Sequence, residues 1–169
     1  MKTAALIFTG IACALTGKYF SFALSRRVEL LEKIQIMISA AENQLRYLSM
    51  PSGKIIGLLA VNSQLDGLEF LKDCEKKLSA GADFRTAWKE SISDRRNVRF
   101  LKKDETELLL SFGEMFGATD TAGQVANCGL HSALLKDKLS EARSSRDKFS
   151  SLSTGLGAAA GIGIIIIFM

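Results

Sequence analysis

The chain has 169 residues, of which 24% are charged, and this length favours a single domain. All 18 acidic residues, and all of the 22 basic residues except Lys2 and Lys18, lie between Arg26 and Lys148, so the middle of the chain is nearly neutral. The pI near 9.0 reflects only a small basic excess, and we expect no nucleic-acid partner. The three cysteines have unrelated spacings, which argues against a disulfide framework and favours reduced thiols.

The N-terminal segment, residues 1–25, carries two charged side chains, Lys2 and Lys18. A cleaved signal peptide and an uncleaved membrane helix both begin with a basic residue and a short apolar run. The apolar pattern resumes at Tyr19, directly after Lys18, and a lysine near the end of a span can reach the lipid headgroups. These features favour an uncleaved transmembrane helix within residues 1–25.

The region from residue 26 to residue 150 has helical periodicity, one proline and no strand-like alternation of useful length. Its first helix carries a seam of apolar residues three and four positions apart, a pattern typical of a helix that packs on another. The seam consists of Leu31, Ile34, Ile38, Ala41, Leu45 and Leu48. Pro51 suits the first turn of a second helix running toward Asn62, and Asp66 can start a third.

Capping residues delimit the next helices. Gly81 should end the third helix, and Asp83 should cap a short fourth helix that contains Trp88. Residues 94–103 are interpreted as a basic linker, and Asp104 should open the following helix.

A turn over residues 117–123 precedes a long final helix that begins near Thr121. Apolar residues recur along this helix every seven positions, at Cys128, Leu135, Ala142 and Phe149. The sequence therefore predicts an all-α fold, an antiparallel helical bundle over residues 26–150 that is flanked by N- and C-terminal transmembrane helices.

The C-terminal segment has no formally charged side chain from Phe149 to Met169. A helix of that length extends about 31 Å, close to the hydrocarbon thickness of about 30 Å. A buried core helix is the alternative, but we expect a second transmembrane helix over residues 151–169. Its small residues could let another helix approach closely, or could simply be tolerated in a span; the glycines concerned are Gly157, Gly161 and Gly163.

Basic residues flank the middle region at both ends, with Arg26 and Arg27 before it and Arg143 and Arg146 near its end. The positive-inside rule therefore predicts that residues 26–150 lie in the cytoplasm.

Two stretches of this sequence resemble the stage III sporulation protein AB family, a relative of the cytoplasmic domain of type II secretion F proteins. The more specific stretch is LLLSFGEMFGATDTAGQ, through Gly113, Gly117, Asp120 and Gln124. The other is DFRTAW, through Phe84, Ala87 and Trp88. AENQLRY, before Pro51, is similar more loosely, and the flanking spans agree, so that the resemblance covers essentially the whole chain.

The resemblance implies a non-enzymatic component of the secretion-like channel complex that joins mother cell and forespore and is needed for endospore development. It implies a location in the mother-cell membrane and a role as a platform for other proteins of the complex, including a secretion-type ATPase. Membrane lipid and an oligomeric assembly are further expected partners. The alternatives are a general type II secretion or pilus platform, and a membrane-tethered module that binds lipid through basic residues.

The candidate site residues fall into two groups. The first marks a helix corner or a contact for a partner protein, and comprises Trp88, Gly113, Glu114, Gly117, Asp120 and Gln124. The second is a basic run that is either a solvated linker or a contact for anionic lipid or an acidic protein, and comprises Arg95, Arg96, Arg99, Lys102 and Lys103.

No catalytic, cofactor or metal site is expected. His131 is the single histidine; it has Cys128 three residues before it but no further ligand at a suitable spacing. We interpret it as a hydrogen-bonded histidine within a helix. The chain has neither a phosphate-binding loop nor a Gly-x-Ser-x-Gly element, so we expect no enzymatic activity.

Overall fold

The computed structural model describes the backbone of residues 2–48 and 50–168, and the side chains of residues 17–47, 50–94 and 96–150. Every regular element in these ranges is helical, which confirms the all-α prediction. The elements are α1 (Lys2–Leu48), α2 (Ser52–Ala60), a 3-10 helix (Ser63–Leu65), α3 (Glu69–Ser79), α4 (Phe84–Ser93), α5 (Arg95–Val98), α6 (Lys103–Met115) and α7 (Thr121–Phe168).

The chain divides into two compact units, a terminal unit (Met1–Val28 and Ser140–Met169) and a central unit (Glu29–Leu139). In the terminal unit the rings of Phe20 and Phe149 lie 4.9 Å apart, and Nη2 of the buried Arg27 lies 3.8 Å from Oε1 of Glu141. Phe20 comes before Arg27 in the first segment, whereas its partner Phe149 comes after Glu141 in the second segment. The two segments therefore run antiparallel here.

Among the residues that the structure describes, no helix is both long enough and apolar enough to cross a membrane. The predicted spans, residues 1–25 and 151–169, fall largely on side chains that lie outside the described residues. The packing glycines Gly157, Gly161 and Gly163 lie outside them as well. Both spans therefore stay predictions.

The central unit is organised around the predicted seam of α1. Five of its residues are buried, namely Leu31, Ile34, Ile38, Ala41 and Leu45. Apolar side chains of α6 and α7 meet this seam, since Leu109 and Leu135 line one small cavity together with Ile34 and Ile38. Gln35 of α1 also donates a hydrogen bond to the hydroxyl of Ser132 on α7. The periodicity of α1 thus predicted its core face correctly.

The connection between α2 and α3 differs from the prediction. Asp66 does not start the third helix; Asn62 instead caps the 3-10 helix by accepting a hydrogen bond from the backbone N–H of Gln64. Gly67 then takes a φ of +96°, a left-handed conformation that interrupts helical geometry, and α3 begins at Glu69.

The predicted ends of α3 and α4 are confirmed. Gly81 follows α3 with a φ of +92°, and Oδ1 of Asp83 accepts a hydrogen bond from the backbone N–H of Thr86 at 3.1 Å. The hydrogen bonds from Thr86 lower the pKa of the Asp83 carboxyl.

The prediction of a plain linker over residues 94–103 is wrong, because the short helix α5 lies within it. Asp94 caps this helix, and Asn97 attaches it to α3 and α4 by donating to Oδ2 of Asp73 and to the carbonyl of Ser91. Val98, the last residue of α5, is buried. These tertiary contacts fold a segment whose composition alone suggested a solvated chain.

Candidate functional site

The candidate residues near the end of α6 surround a cluster of aromatic side chains. The indole of Trp88, which is 1% exposed, lies within 6 Å, centroid to centroid, of three phenylalanine rings. These belong to Phe70, Phe84 and Phe112. Its Nε1–H donates to the backbone carbonyl of Leu109 at 2.9 Å, so the polar atom of this buried ring is satisfied. Trp88 lies in the core of the central unit.

Gly113 lies directly against that indole. A Cβ at this position would overlap Cδ1 and Nε1 of Trp88, and the residue is buried. The absence of a side chain therefore lets the ring from α4 approach the backbone of α6. The DFRTAW and SFGEMFG stretches belong to one structural feature, because the tryptophan of the first needs the glycine of the second.

Gly117 ends α6 and turns the chain toward α7. Its φ is +87°, and a Cβ would lie 2.6 Å from the hydroxyl oxygen of Ser52 at the start of α2. Ser52 donates to Oε1 of Gln124 at 3.4 Å, and Nε2 of Gln124 donates to the carbonyl of Thr119 at 2.9 Å. Gln124 thus links the start of α2 to the turn.

Asp120 caps α7. Its Oδ1 accepts a hydrogen bond from the backbone N–H of Gly123 at 2.9 Å, and its carbonyl accepts one from the N–H of Gln124 at the same distance. This cap fixes the residue at which the chain leaves the turn and enters the long helix.

A groove of about 250 Å³ lies beside the turn, and we call it the corner groove. It is lined by Phe84, Arg85, Gly113, Glu114, Phe116 and Gly117, among others. Nη2 of the exposed Arg85 lies 3.5 Å from the carbonyl oxygen of Glu114, whose carboxylate is exposed. The exposed carboxylate of Asp83 lines the groove as well, so the corner groove offers a partner one cation, two anions and a partly apolar floor.

The glycines and Trp88 of the first candidate group thus shape the corner, whereas Asp83, Arg85 and Glu114 are the charged groups at its surface. Arg85 was missed by the sequence reasoning, although it lies inside the DFRTAW stretch. Its neighbour Asp83 was singled out for its cap, and nothing in the sequence marks Arg85 as a surface residue of the same groove.

Buried polar side chains from α7 lie beneath the corner. Nδ2 of Asn127 donates to the carbonyl of Phe112 at 3.1 Å. His131 lies 3.0 Å from the hydroxyl of Ser111 through Nε2 and 3.0 Å from the carbonyl of Asn127 through Nδ1. The histidine is thus hydrogen-bonded within the core, as predicted. The sequence analysis did not single out Asn127. The only sequence feature that indicates its buried role is its position, one helical turn before His131 on the apolar side of α7.

The basic run does not act as one uniform patch. Arg96 is held by Asp94 through contacts of 2.6–3.1 Å, which lower the pKa of Asp94 to about 2. Lys103 lies 3.6 Å from Glu107, and Arg99 lies over the ring of Phe100, 4.4 Å from its centroid. Lys102 is exposed, and the side chain of Arg95 lies outside the described residues.

Within the described part of the chain, no group of three or more histidine, cysteine or acidic side chains is arranged to hold a metal ion. Cys74 and Cys128 are free, buried thiols, and burial raises the pKa of each to about 12. Both thiols are therefore neutral at pH 7, whereas a nucleophilic cysteine must be a thiolate.

Comparison with known proteins gives a match along the length of the chain. The family model described as stage III sporulation protein AB matches residues 2–169. The chain belongs to the stage III sporulation protein AB family. A family member from Bacillus subtilis (strain 168), itself named stage III sporulation protein AB, is 23% identical over 170 residues, which cover 100% of this chain and 99% of the relative.

A solved structure of a stage III sporulation protein AB is similar in fold. It superposes with a TM-score of 0.61 at 21% identity, and the match covers 73% of this chain and 98% of that structure. The resemblance that the glycine-rich stretch indicated is therefore confirmed, and the family name identifies a sporulation protein rather than a known enzyme family.

Proposed function

We propose that this chain is a non-enzymatic membrane component of the secretion-like channel complex between mother cell and forespore, needed for endospore development. In this proposal, residues 1–25 and 151–169 anchor the chain in the mother-cell membrane, and residues 26–150 face the cytoplasm. The cytoplasmic part acts as a platform for the other proteins of the complex, including a secretion-type ATPase.

The observation that carries this proposal is the extent of the family match, which includes both charge-poor ends as well as the helical middle. A protein that shared only the helical bundle with the family would be matched over the middle alone. The distribution of charge supports the membrane arrangement, because basic residues flank the middle region and are nearly absent from the ends.

The corner groove supports the platform role. Gly113 of its lining packs closely against the buried Trp88, so Arg85 and Glu114 project beside a close-packed part of the core. A preformed surface limits the ordering that a partner must impose when it binds. We place the ATPase contact at this groove.

Deletion of the gene in its own spore-forming host tests the sporulation role. We expect few heat-resistant spores, and recovery when the full-length chain is supplied in trans. Membranes from these cells, sedimented without detergent, should contain the chain. A normal spore count in the deletion strain would reject the proposal, and a chain that stays in the supernatant would reject the membrane arrangement.

A photo-reactive residue in place of Glu114, in the full-length chain within sporulating cells, tests the platform role. We expect a cross-link to an ATPase. Glu90 is the matched control, since it is an exposed glutamate on α4 that does not line the corner groove. Equal ATPase capture from both positions, or capture from neither, would remove the corner groove as the contact.

The rival function of a membrane-tethered lipid-binding module predicts a different result. If basic residues provided the function, reversing the charge of Arg99 and Lys103 would lower the cross-linking of this region to anionic lipid in a salt-dependent way, while the tether kept the chain in the membrane fraction. Under the proposed function, cross-linking of this region to lipid stays unchanged after these substitutions.

A further inference from the structure

A second groove lies at the opposite end of α6 from the corner, and we call it the cationic groove. It has a volume of about 410 Å³ and lies where the end of α4, the α5–α6 connection and the first turn of α6 meet. Its lining includes Ile92, Ser93, Val98, Arg99, Leu101 and Lys103. The corner groove is lined by none of these residues.

The floor of the cationic groove is apolar. The accessible part of the floor comes from Val98, which is 7% exposed, and from the half-buried Leu101, while Ile92 of the lining is fully buried. An apolar side chain that entered the groove would leave water and contact this floor, which stabilises the complex by about 25 cal/mol for each Å² of apolar surface removed from water.

The rim is cationic. The guanidinium of Arg99 rests on the ring of Phe100, which restricts its orientation while its N–H groups remain able to donate. Lys103 is exposed, and its ion pair with Glu107 spans 3.6 Å in solvent, so a competing carboxylate could replace Glu107 at little cost.

These features fit a polypeptide better than a lipid surface. Binding to an anionic membrane sums about 1 kcal/mol for each basic residue over a cluster of roughly four to eight, but Arg96 is already neutralised by Asp94. A flat layer of headgroups would also fail to reach a recessed apolar floor. A side chain that projects from a polypeptide can reach this floor while a neighbouring carboxylate meets the rim.

We propose that the cationic groove docks an acidic segment of a partner protein. The segment places one apolar side chain on the floor formed by Val98 and Leu101, and a carboxylate against Arg99 and Lys103. This inference rests on the proposed platform function, to which it adds a second contact surface and the chemistry of the partner that the surface accepts.

Cross-linking from the rim tests the inference. A photo-reactive residue replaces Ser93, an exposed residue of the rim, in the full-length chain within sporulating cells, and the captured peptide is sequenced by mass spectrometry. The expected adduct is a peptide with an aspartate or glutamate within one helical turn of a large apolar residue. The double substitution Arg99→Glu and Lys103→Glu should lower its yield at least about tenfold, the effect of roughly 1.4 kcal/mol.

The matched control is Lys89→Glu with Lys136→Glu, which reverses two exposed charges that do not line the groove and should leave the yield unchanged. Replacing the acidic residue of the captured segment by lysine should restore capture by the Arg99→Glu and Lys103→Glu chain. This rescue separates direct pairing from damage to the fold.

Other results would overturn the inference: adducts to lipid alone, a captured segment without an acidic residue, a yield that the Arg99→Glu and Lys103→Glu chain retains, or no adduct at all. Cross-links from Glu114 report on the corner groove in parallel. A chain with the groove unchanged that gives a Glu114 adduct but no Ser93 adduct therefore rejects the cationic groove and leaves the proposed function intact, and the spore count tests that function separately.

Discussion

The two ends of α6 contrast in how they use their distinctive residues. At the C-terminal end, Gly113, Gly117 and Trp88 are engaged with one another or with neighbouring helices, and the glycines have no room for a side chain. At the N-terminal end, Arg99 and Lys103 reach solvent at the rim of an apolar recess. The distinctive residues of the first end pack within the fold, and those of the second end are exposed to solvent.

A conspicuous sequence motif is therefore not necessarily the surface that binds a partner protein. The residues that carry the family resemblance most specifically hold the corner together, and the groups that a partner could touch are their less conspicuous neighbours. Substitutions of the buried Trp88 and Gly113 or of the turn residue Gly117 should therefore act mainly on stability. Substitutions of the exposed charged residues Arg85, Glu114, Arg99 and Lys103 should act mainly on binding.

The largest effect is expected for Gly113→Ala. The new Cβ would displace the indole of Trp88 and disturb its hydrogen bond to Leu109. Overpacking and the weakened hydrogen bond should together lower the free energy of unfolding by about 3 kcal/mol. Guanidinium unfolding of the full-length chain, followed by the emission of its single tryptophan, measures this loss.

Gly129→Ala is the matched control, because Gly129 is an exposed helical glycine with no atom within 4 Å of an added Cβ. Alanine should leave stability unchanged there or raise it by up to about 1 kcal/mol. Equal effects of the two substitutions would show that close packing against Trp88 does not distinguish the corner.

A smaller loss, of about 2 kcal/mol, is expected for Gly117→Ala. The alanine would have to adopt a φ of +87°, and its Cβ would approach the hydroxyl of Ser52. Repeating the substitution in a Ser52→Ala background separates the two causes, since only the contact with the hydroxyl is then relieved. If Gly117→Ala causes no loss of stability in the Ser52→Ala background, backbone strain at position 117 does not contribute to the loss.

Asp120→Ala should cost about 1 kcal/mol, because the first turn of α7 would lose the acceptor for the N–H of Gly123. Asp120→Ser keeps an oxygen that can accept this hydrogen bond and should recover most of the stability. Urea unfolding monitored by far-ultraviolet circular dichroism compares the two variants. Equal losses would mean that the side chain of Asp120 does not act as a cap.

The smallest effect is expected at the cap of α5, near the cationic groove. The folded-state pKa of Asp94 is lowered from 3.8 to about 2, with the hydrogen bond from Arg96 as the main cause. A lowered folded-state pKa adds stability above the unfolded-state value, and this stability is lost as the pH falls toward the folded-state value. The stability difference between the native chain and Asp94→Asn should therefore shrink as the pH falls from about 4 to about 2.

Arg96→Gln removes the main cause of that shift, so Asp94→Asn should have a weaker pH-dependent effect in the Arg96→Gln background. Unfolding midpoints of the four chains across this pH range give the comparison. If the stability difference between the native chain and Asp94→Asn stays constant over this pH range, the ion pair between Asp94 and Arg96 does not contribute to stability.

Much of the fold follows from sequence signals that act over a few residues. The buried seam of α1, the cap at Asp83 and the start of α7 at Thr121 each depend on neighbours within one or two helical turns. The error at Asp66 had local causes, the cap at Asn62 and the positive φ of Gly67, whereas the error over residues 94–103 arose from contacts between distant residues. The basic composition of residues 94–103 gave no sign that Asn97 would bond to Asp73, 24 positions earlier.

The sequence by itself determined the helical class, most helix boundaries and the family, because periodicity, caps and the glycine-rich stretch are local properties of the chain. Tertiary structure alone decided that Gly113 accommodates Trp88, 25 positions earlier in the chain, and that Arg99 and Lys103 border an apolar recess. The physical reason is that which side chains meet depends on how the helices pack, and packing depends on the shapes of residues far apart in sequence.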